Sequence, residues 1–151
     1  MIEKIAAYGG YDVVFESIDD FGLEDFLQSN FEHAQKIILA DENTYKHCLE
    51  YLITSVPALS QAEVLVVPAG ESSKTIETAS QLWSAMLEYG ISRNAVCINL
   101  GGGVITDLGG FVSALYKRGI DCIHIPTSLL AMVDASVGGK TGVDFEGVKN
   151  Q

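Results

Sequence analysis

Basic residues are scarce in this chain. Nine Lys and Arg stand against 20 Asp and Glu among 151 residues, a formal net charge of −11. No basic stripe runs along any segment, which argues against nucleic acid and anionic membrane surfaces as partners. Long hydrophobic runs are also missing: none approaches the roughly 20 residues a membrane helix needs. The opening M-I-E-K-I-A-A-Y-G-G lacks the basic-then-apolar layout of a secretory leader, so a cytoplasmic location is expected. There are only three cysteines, Cys48, Cys97 and Cys122, with no C-x-x-C pair. That excludes a disulfide framework and predicts buried, reduced thiols. His33, His47 and His124 lie 14 and 77 residues apart, and none shows a paired metal-ligand spacing. Internal repeats, low-complexity tracts and linkers are absent.

What remains is a chain that is 48% hydrophobic, long enough for one domain that buries about two-thirds of its unfolded surface. Candidate strands are Tyr11–Phe15, Lys36–Ala40, Glu63–Val67, Val96–Leu100 and Cys122–Ile125. The last four are continuous apolar runs, the pattern of strands covered on both faces in a parallel sheet. Helix candidates alternate with them: Ile18–Gln28, Asn43–Ile53, Thr75–Tyr89 and Val104–Tyr116. The third is the clearest. Ile76, Ala79, Leu82, Trp83 and Met86 share one face, Ser72 or Ser73 can cap its start and Gly90 stops it. Right-handed crossovers would put helices on both faces. The expectation is an α/β fold, a Rossmann-like and mostly parallel sheet between helices.

Such sheets bind ligands beyond the carboxyl ends of their strands. Four of those ends are polar or glycine-rich: Asp41-Glu42-Asn43, Gly70 to Lys74, Gly101-Gly102-Gly103, and Pro126-Thr127-Ser128. The glycine run is the most telling, because strand, glycine loop and helix in that order bring bare N–H groups to the positive end of a helix dipole, where phosphate binds. Asp107 follows in what reads as the first turn of that helix, where it can bond a ribose or amide of the same nucleotide, or simply stabilise the helix. Asp41 or Asn43 can accept bonds from an adenosine ribose or cap a helix. Glu71 with Lys74 can bracket a ribose or phosphate, or form an exposed pair. Thr127 and Ser128 offer hydroxyls or a cap. Charge is distributed unevenly too. Residues 1–115 hold 5 basic and 16 acidic side chains, the whole of the net charge, whereas residues 116–151 hold 4 of each. An anionic ligand would be drawn to Arg118, Lys140 and Lys149 in that last third, with the carboxylate Asp134 among them.

Two phosphate motifs almost fit and fail. A G-x-G-x-x-G fingerprint from Gly101 would need glycine at Thr106, and a P-loop ending Gly139-Lys140-Thr141 would need glycine at Asp134. Kinase-like ATP binding and the ordinary dinucleotide fingerprint are therefore rejected.

The patterns G-G-G-V-I-x-D-L-x-G-F, Y-x-R-G-I, P-T-x-L-L-A-x-V-D-x-S-V-G-G-K-T and the closing K-N, with P-A-G-E-x-x-K at Pro68 to Lys74, resemble the N-terminal half of the 3-dehydroquinate synthase family. The similarity runs from Lys36 to Gln151 and is dense from Asn99 to Asn150. Thr106, Ser128, Met132 and Asp144 depart from the family's usual glycine, threonine, glutamine and asparagine. The resemblance implies conversion of 3-deoxy-D-arabino-heptulosonate 7-phosphate to 3-dehydroquinate and phosphate in the shikimate pathway, with NAD and a divalent metal, usually zinc. It implies NAD contacts from Asp41, Asn43, Glu71, Lys74, Gly102, Gly103, Val104, Asp107, Thr127, Ser128, Lys149 and, on the nicotinamide side, Lys140. It implies substrate contacts from Asp134, Lys140 and Asn150, and a phosphate contact from Arg118 reaching in from the partner subunit of a homodimer. It also implies that residues 1–151 are the NAD-binding domain, with a metal-binding helical C-terminal domain absent and no metal ligand in this chain. Three other readings stay open: a related sugar-phosphate cyclase, a metal-dependent glycerol or alcohol dehydrogenase, and a non-catalytic nucleotide-binding module.

Overall fold

A computed structural model describes residues 4–7 and 11–151. The leader reading concerned residues 1–10, and Met1–Glu3 and Tyr8–Gly10 lie outside the described residues. Two strands the alternation did not place in one unit, β1 (Lys4–Ala7) and β2 (Tyr11–Val14), pair antiparallel as a separate ribbon. The sequence pattern predicts only the second. The main sheet contains β3 (Lys36–Asp41), β4 (Glu63–Val67), β5 (Val96–Gly101) and β6 (Asp121–Pro126), in the order β4-β3-β5-β6 with every pair parallel.

Strand periodicity splits the core into two layers. Ile37 and Leu39 of β3, Leu65 and Val67 of β4 and Cys97 of β5 face α5 (Ile76–Glu88) and α6 (Gly103–Leu115), against Leu82, Met86, Ile105, Leu108 and Val112. Ile38, Val96, Ile98 and Leu100 face the other way, against Leu23 and Leu27 of α2 (Leu23–Phe31) and Leu49 and Leu52 of α4 (Leu49–Ser55). Helices thus cover both faces, and all six residues of β5 are buried. Each large apolar side chain so placed contributes about 1.5–3 kcal/mol, and Ile98→Ala, at 0% exposure, would cost roughly 2–5 kcal/mol.

Local differences from the sequence reading have identifiable causes. The first predicted helix is two, α1 (Ile18–Phe21) and α2, because Gly22 adopts a left-handed φ of 72° between them. The second is also two, α3 (Glu42–His47) and α4, separated at Cys48 (φ −122°). Neither Ser72 nor Ser73 caps α5. Both lie in a 3₁₀ turn, and Thr75 takes the cap by accepting from the Thr78 amide at 3.1 Å. Gly90 does stop α5: at φ 65° it lets Ile91 N–H reach Met86 C=O at 2.9 Å. Cys97 is buried, with its thiol pushed up to about 12 by burial, whereas Cys48 is half-buried and Cys122 is exposed. Among the described residues no helix is long and apolar enough to cross a membrane.

The chain goes from β3 outward to β4, then returns past β3 to β5. The carboxyl ends of β3 and β5 therefore flank the point where winding reverses, the crevice in which doubly wound sheets take ligands.

Candidate functional site

Four loops meet at this edge, since the four strands run parallel. At β3, Asp41 caps α3: Oδ1 accepts from the Asn43 and Thr44 amides at 2.8 and 2.9 Å. Its cap role is thus observed, while Asn43 stands exposed. Thr44, which the sequence reading passed over, is buried and donates to Leu100 C=O at 2.9 Å, tying α3 to β5 across the switch point.

At β5, Gly102 is the N-cap of α6 and no side chain caps that end, so its first amide protons have no partner within the helix. A Cβ on Gly101 would meet Ile105 at 2.6 Å, so the fold itself requires that glycine. Gly102 and Gly103 differ. A Cβ there would meet Ser128 Oγ at 3.3 Å and Ala135 Cβ at 3.5 Å, close to ordinary contact. Their bareness leaves a cradle open to an approaching phosphate. Val104 follows, half-buried. Asp107 is the fifth helical residue, one position further in than the sequence suggested and so just past the first turn. Thr106 is buried and donates to Gly103 C=O at 3.2 Å. Close helix–sheet packing, which the dinucleotide fingerprint assigns to its last glycine, is supplied later by Gly109, where a Cβ would fall 2.0 Å from Asn99 Oδ1. At β6, Ser128 Oγ accepts from the Ala131 amide at 3.3 Å, just ahead of the π-helical turn Ala131–Ala135, and Thr127 is exposed beside it.

Lys74 organises the site. Its side chain is only 5% exposed and its Nζ lies 2.8 Å from Asn150 Oδ1, 3.2 Å from Glu71 Oε1, 3.4 Å from Asp107 Oδ2 and 3.6 Å from Asp144 Oδ1. Burial opposes its charge, but Glu71 and Asp107 outweigh burial and hold its pKa above the usual 10.5. An ammonium has three protons to donate, and Asn150, Glu71 and Asp107 engage all three. Lys74 is thus an internal tether in this state, and would touch a ligand only by exchanging a partner. Asp107 feels the reverse balance: burial raises its pKa above 3.8 and Lys74 does not cancel the effect. Lys149 is exposed, 3.5 Å from Glu71 Oε1.

Asp134 and Lys140 form an exposed pair of their own, Nζ to Oδ1 2.8 Å, and that bond holds the Lys140 pKa up. Arg118 is the one predicted site residue the fold does not bring near the others. It is exposed beyond the far end of α6, a helix of 13 residues and so about 20 Å long. Lys117 and Arg118 both have positive φ, 45° and 71°, a conformation that costs about 1–3 kcal/mol per residue. His124, on β6, contacts Asn99 at 3.2 Å and burial lowers its pKa. His33 is exposed on the surface, as is His47. Among the described residues no group of three His, Cys, Asp or Glu stands close enough to hold a metal.

A doubly wound parallel sheet, with an uncapped glycine-started helix at its switch point, defines the class: a Rossmann-like α/β domain. The chain belongs to the 3-dehydroquinate synthase family, whose N-terminal domain matches residues 64–151. It is 48% identical over 129 residues to the 3-dehydroquinate synthase of Parabacteroides distasonis, covering 85% of this chain and 36% of that protein. This chain therefore spans about a third of the length of such relatives. Among solved structures, 2-deoxy-scyllo-inosose synthase, complexed with carbaglucose-6-phosphate, NAD+ and Co2+, superposes with a TM-score of 0.84 at 23% identity, over 99% of this chain and 41% of that one. The 2-epi-5-epi-valiolone synthase of Streptomyces hygroscopicus, with NAD+ and Zn2+ bound, gives 0.78 at 32% identity, over 97% and 41%.

Proposed function

We propose that this chain is the NAD-binding portion of a cytoplasmic, dimeric 3-dehydroquinate synthase that acts on 3-deoxy-D-arabino-heptulosonate 7-phosphate. The observation that carries the reading is the Gly102–Gly103 cradle at the switch point, adjoining the Lys74–Asp107–Asn150 network, in a chain of this family. NAD+ bound to 2-epi-5-epi-valiolone synthase, at 32% identity, supports it.

NAD fits the residues present. The open α6 terminus, with Gly102, Gly103 and Val104, would hold the pyrophosphate. Asp107 and Glu71 would accept bonds from ribose hydroxyls, Asp41 and Asn43 would face the adenosine, Thr127 and Ser128 would add hydroxyls, and Lys74 and Lys149 would offset the charge. Bound there, NAD would supply reversible hydride acceptance from a ring carbon of the substrate that bears a hydroxyl, the hydroxyl giving up its proton. Lys140, held in place by its bond to Asp134, would bind a carboxylate or alkoxide, and Asn150 would orient the substrate beside Lys74. Arg118 would fork onto the substrate phosphate in the other subunit of a dimer, which suits its distance from the remaining residues. A zinc or other divalent ion does not fit the described residues, so its ligands would come from further sequence, proposed as a helical C-terminal domain.

The test is phosphate release by the full-length protein with NAD and Zn2+ or Co2+, offered 3-deoxy-D-arabino-heptulosonate 7-phosphate, sedoheptulose 7-phosphate and glucose 6-phosphate in turn. Release from the heptulosonate alone supports the reading. Release from either other sugar phosphate, with none from the heptulosonate, replaces it with a related cyclase, and no release from any of them leaves a binding module.

A further inference from the structure

The segment that ends the chain is folded on itself with unusual care. Phe145 and Val148 exchange two backbone bonds of 2.9 Å around Glu146 (φ 48°) and Gly147 (φ 79°), two successive left-handed residues as in a tight hairpin turn. Gln151 N–H returns to Val143 C=O at 2.7 Å, and Val143 is buried in the core beneath. Asp144 sits where this strap crosses Lys74. Its own amide donates to Lys74 C=O at 2.8 Å, and its carboxylate Oδ1 accepts from the Asn150 amide at 3.0 Å. The same oxygen lies 3.6 Å from Lys74 Nζ, which in turn donates to Asn150 Oδ1 at 2.8 Å. Asn150 has φ 57°, a left-handed conformation that non-glycine residues seldom hold without local bonding. Asp144 thus grips both members of one hydrogen-bonded pair.

We propose that Asp144 is a positioning residue: its carboxylate locks the strap so that Lys149 and Asn150 are presented to the site, in register with Lys74. It acts through those residues and need not touch a ligand. Asparagine at 144 would keep the acceptor for the Asn150 amide but drop the charge beside Lys74, whereas alanine would lose both. The bond to the Asn150 amide is the part that fixes the strap, so asparagine should substitute and alanine should not.

The consequence for catalysis rests on the function proposed above, but the strap itself can be measured without any ligand. Amide hydrogen exchange is followed in the full-length wild type, Asp144→Asn and Asp144→Ala, with the β5 amides as an internal record of the fold. Alanine is expected to speed exchange at Asn150 about tenfold, the loss of one protecting bond, while β5 is unchanged and asparagine stays near wild type. With NAD and the heptulosonate phosphate, kcat/KM should fall about tenfold in alanine and recover in asparagine. Wild-type exchange at Asn150 in the alanine variant would overturn the proposal, as would equal loss in both variants. Loosening of β5 along with the strap would also overturn it, because Asp144 would then hold the fold as a whole. A wild type that binds no NAD but shows the exchange pattern would leave the strap standing and bring down the proposed function instead.

Discussion

Replacing Lys74 by methionine keeps the stem that packs into the site and removes only the ammonium. The side chain is 5% exposed, and its three carboxylate partners, Glu71, Asp107 and Asp144, are 44%, 20% and 19% exposed. Removing one partner of a fully buried ion pair costs about 3–5 kcal/mol, because the other charge stays behind without compensation. Water reaches these carboxylates in part, so the expected loss is nearer 2–3 kcal/mol, with the Asn150 bond included. For a chain of this size that lowers Tm by roughly 5–10 °C. Two further measurements separate this cause from simple loss of packing. In wild type the raised Lys74 pKa stabilises the fold below the unfolded value of about 10.5, and the benefit fades as pH climbs through the folded pKa. Lys74→Met should show a shallower alkaline decline, the remainder belonging to groups such as Cys97 and Lys140 whose folded pKa is raised independently. Adding Asp107→Asn to Lys74→Met should recover part of the loss, because one of the stranded carboxylates is gone. Urea unfolding at pH 7 and at alkaline pH supplies all three numbers. A loss below about 0.5 kcal/mol, or a double variant weaker than the sum of its parts, would refute the view of Lys74 as a charged tether.

Other expectations follow from the same geometry. Asp107, whose folded pKa is raised, favours the fold below 3.8 and loses that advantage as pH rises through its folded value. Asp107→Asn should therefore gain stability relative to wild type between pH 4 and 7 in urea titrations, while binding NAD less tightly. Lys140→Ala and Arg118→Ala are expected to lower kcat/KM of the full-length enzyme at least ~100-fold, about 2.7 kcal/mol of transition-state stabilisation. Arg118→Ala should leave NAD affinity unchanged, and weakened NAD binding would move it to the cofactor site. The 151-residue chain alone should give circular dichroism of mixed helix and strand but no phosphate release, and zinc-dependent turnover by it would contradict the assignment of the metal ligands to further sequence.

The main sheet was legible because a strand buried on both faces has a plain signature. The apolar runs at Lys36, Glu63 and Val96 match β3, β4 and β5 to within a residue. Loops at strand ends were legible for the same reason, since parallel strands put them on one edge. What escaped was set by single residues acting over distance. Gly22 divides a helix whose apolar spacing runs on, and Gly109 makes room for Asn99, 10 positions earlier in sequence. Thr44 looked like an ordinary helix residue until its bond to Leu100 linked β3's helix to β5. In the sequence Asp144 stands out only as a departure from asparagine. Its grip on Asn150 and Lys74 depends on a hairpin return that no local pattern announces. The P-A-G-E-x-x-K pattern points to Lys74 as a ligand contact or half of an exposed pair, and nothing local to it signals a buried ammonium bonded to Asn150 and Asp107.

The central claim is that the glycine loop of α6 holds the pyrophosphate of NAD, and calorimetric titration of NAD into the full-length protein tests it most directly. Gly103→Val is the informative variant, because a Cβ at Gly103 meets only Ala135 at 3.5 Å, an ordinary contact for the fold, while any side chain there obstructs an approaching phosphate. Asp107→Ala accompanies it, removing one charge-assisted bond worth about 1.5–3 kcal/mol. NAD affinity is expected to fall at least about tenfold in each, with melting of Gly103→Val near wild type. Unchanged affinity in both variants would contradict it.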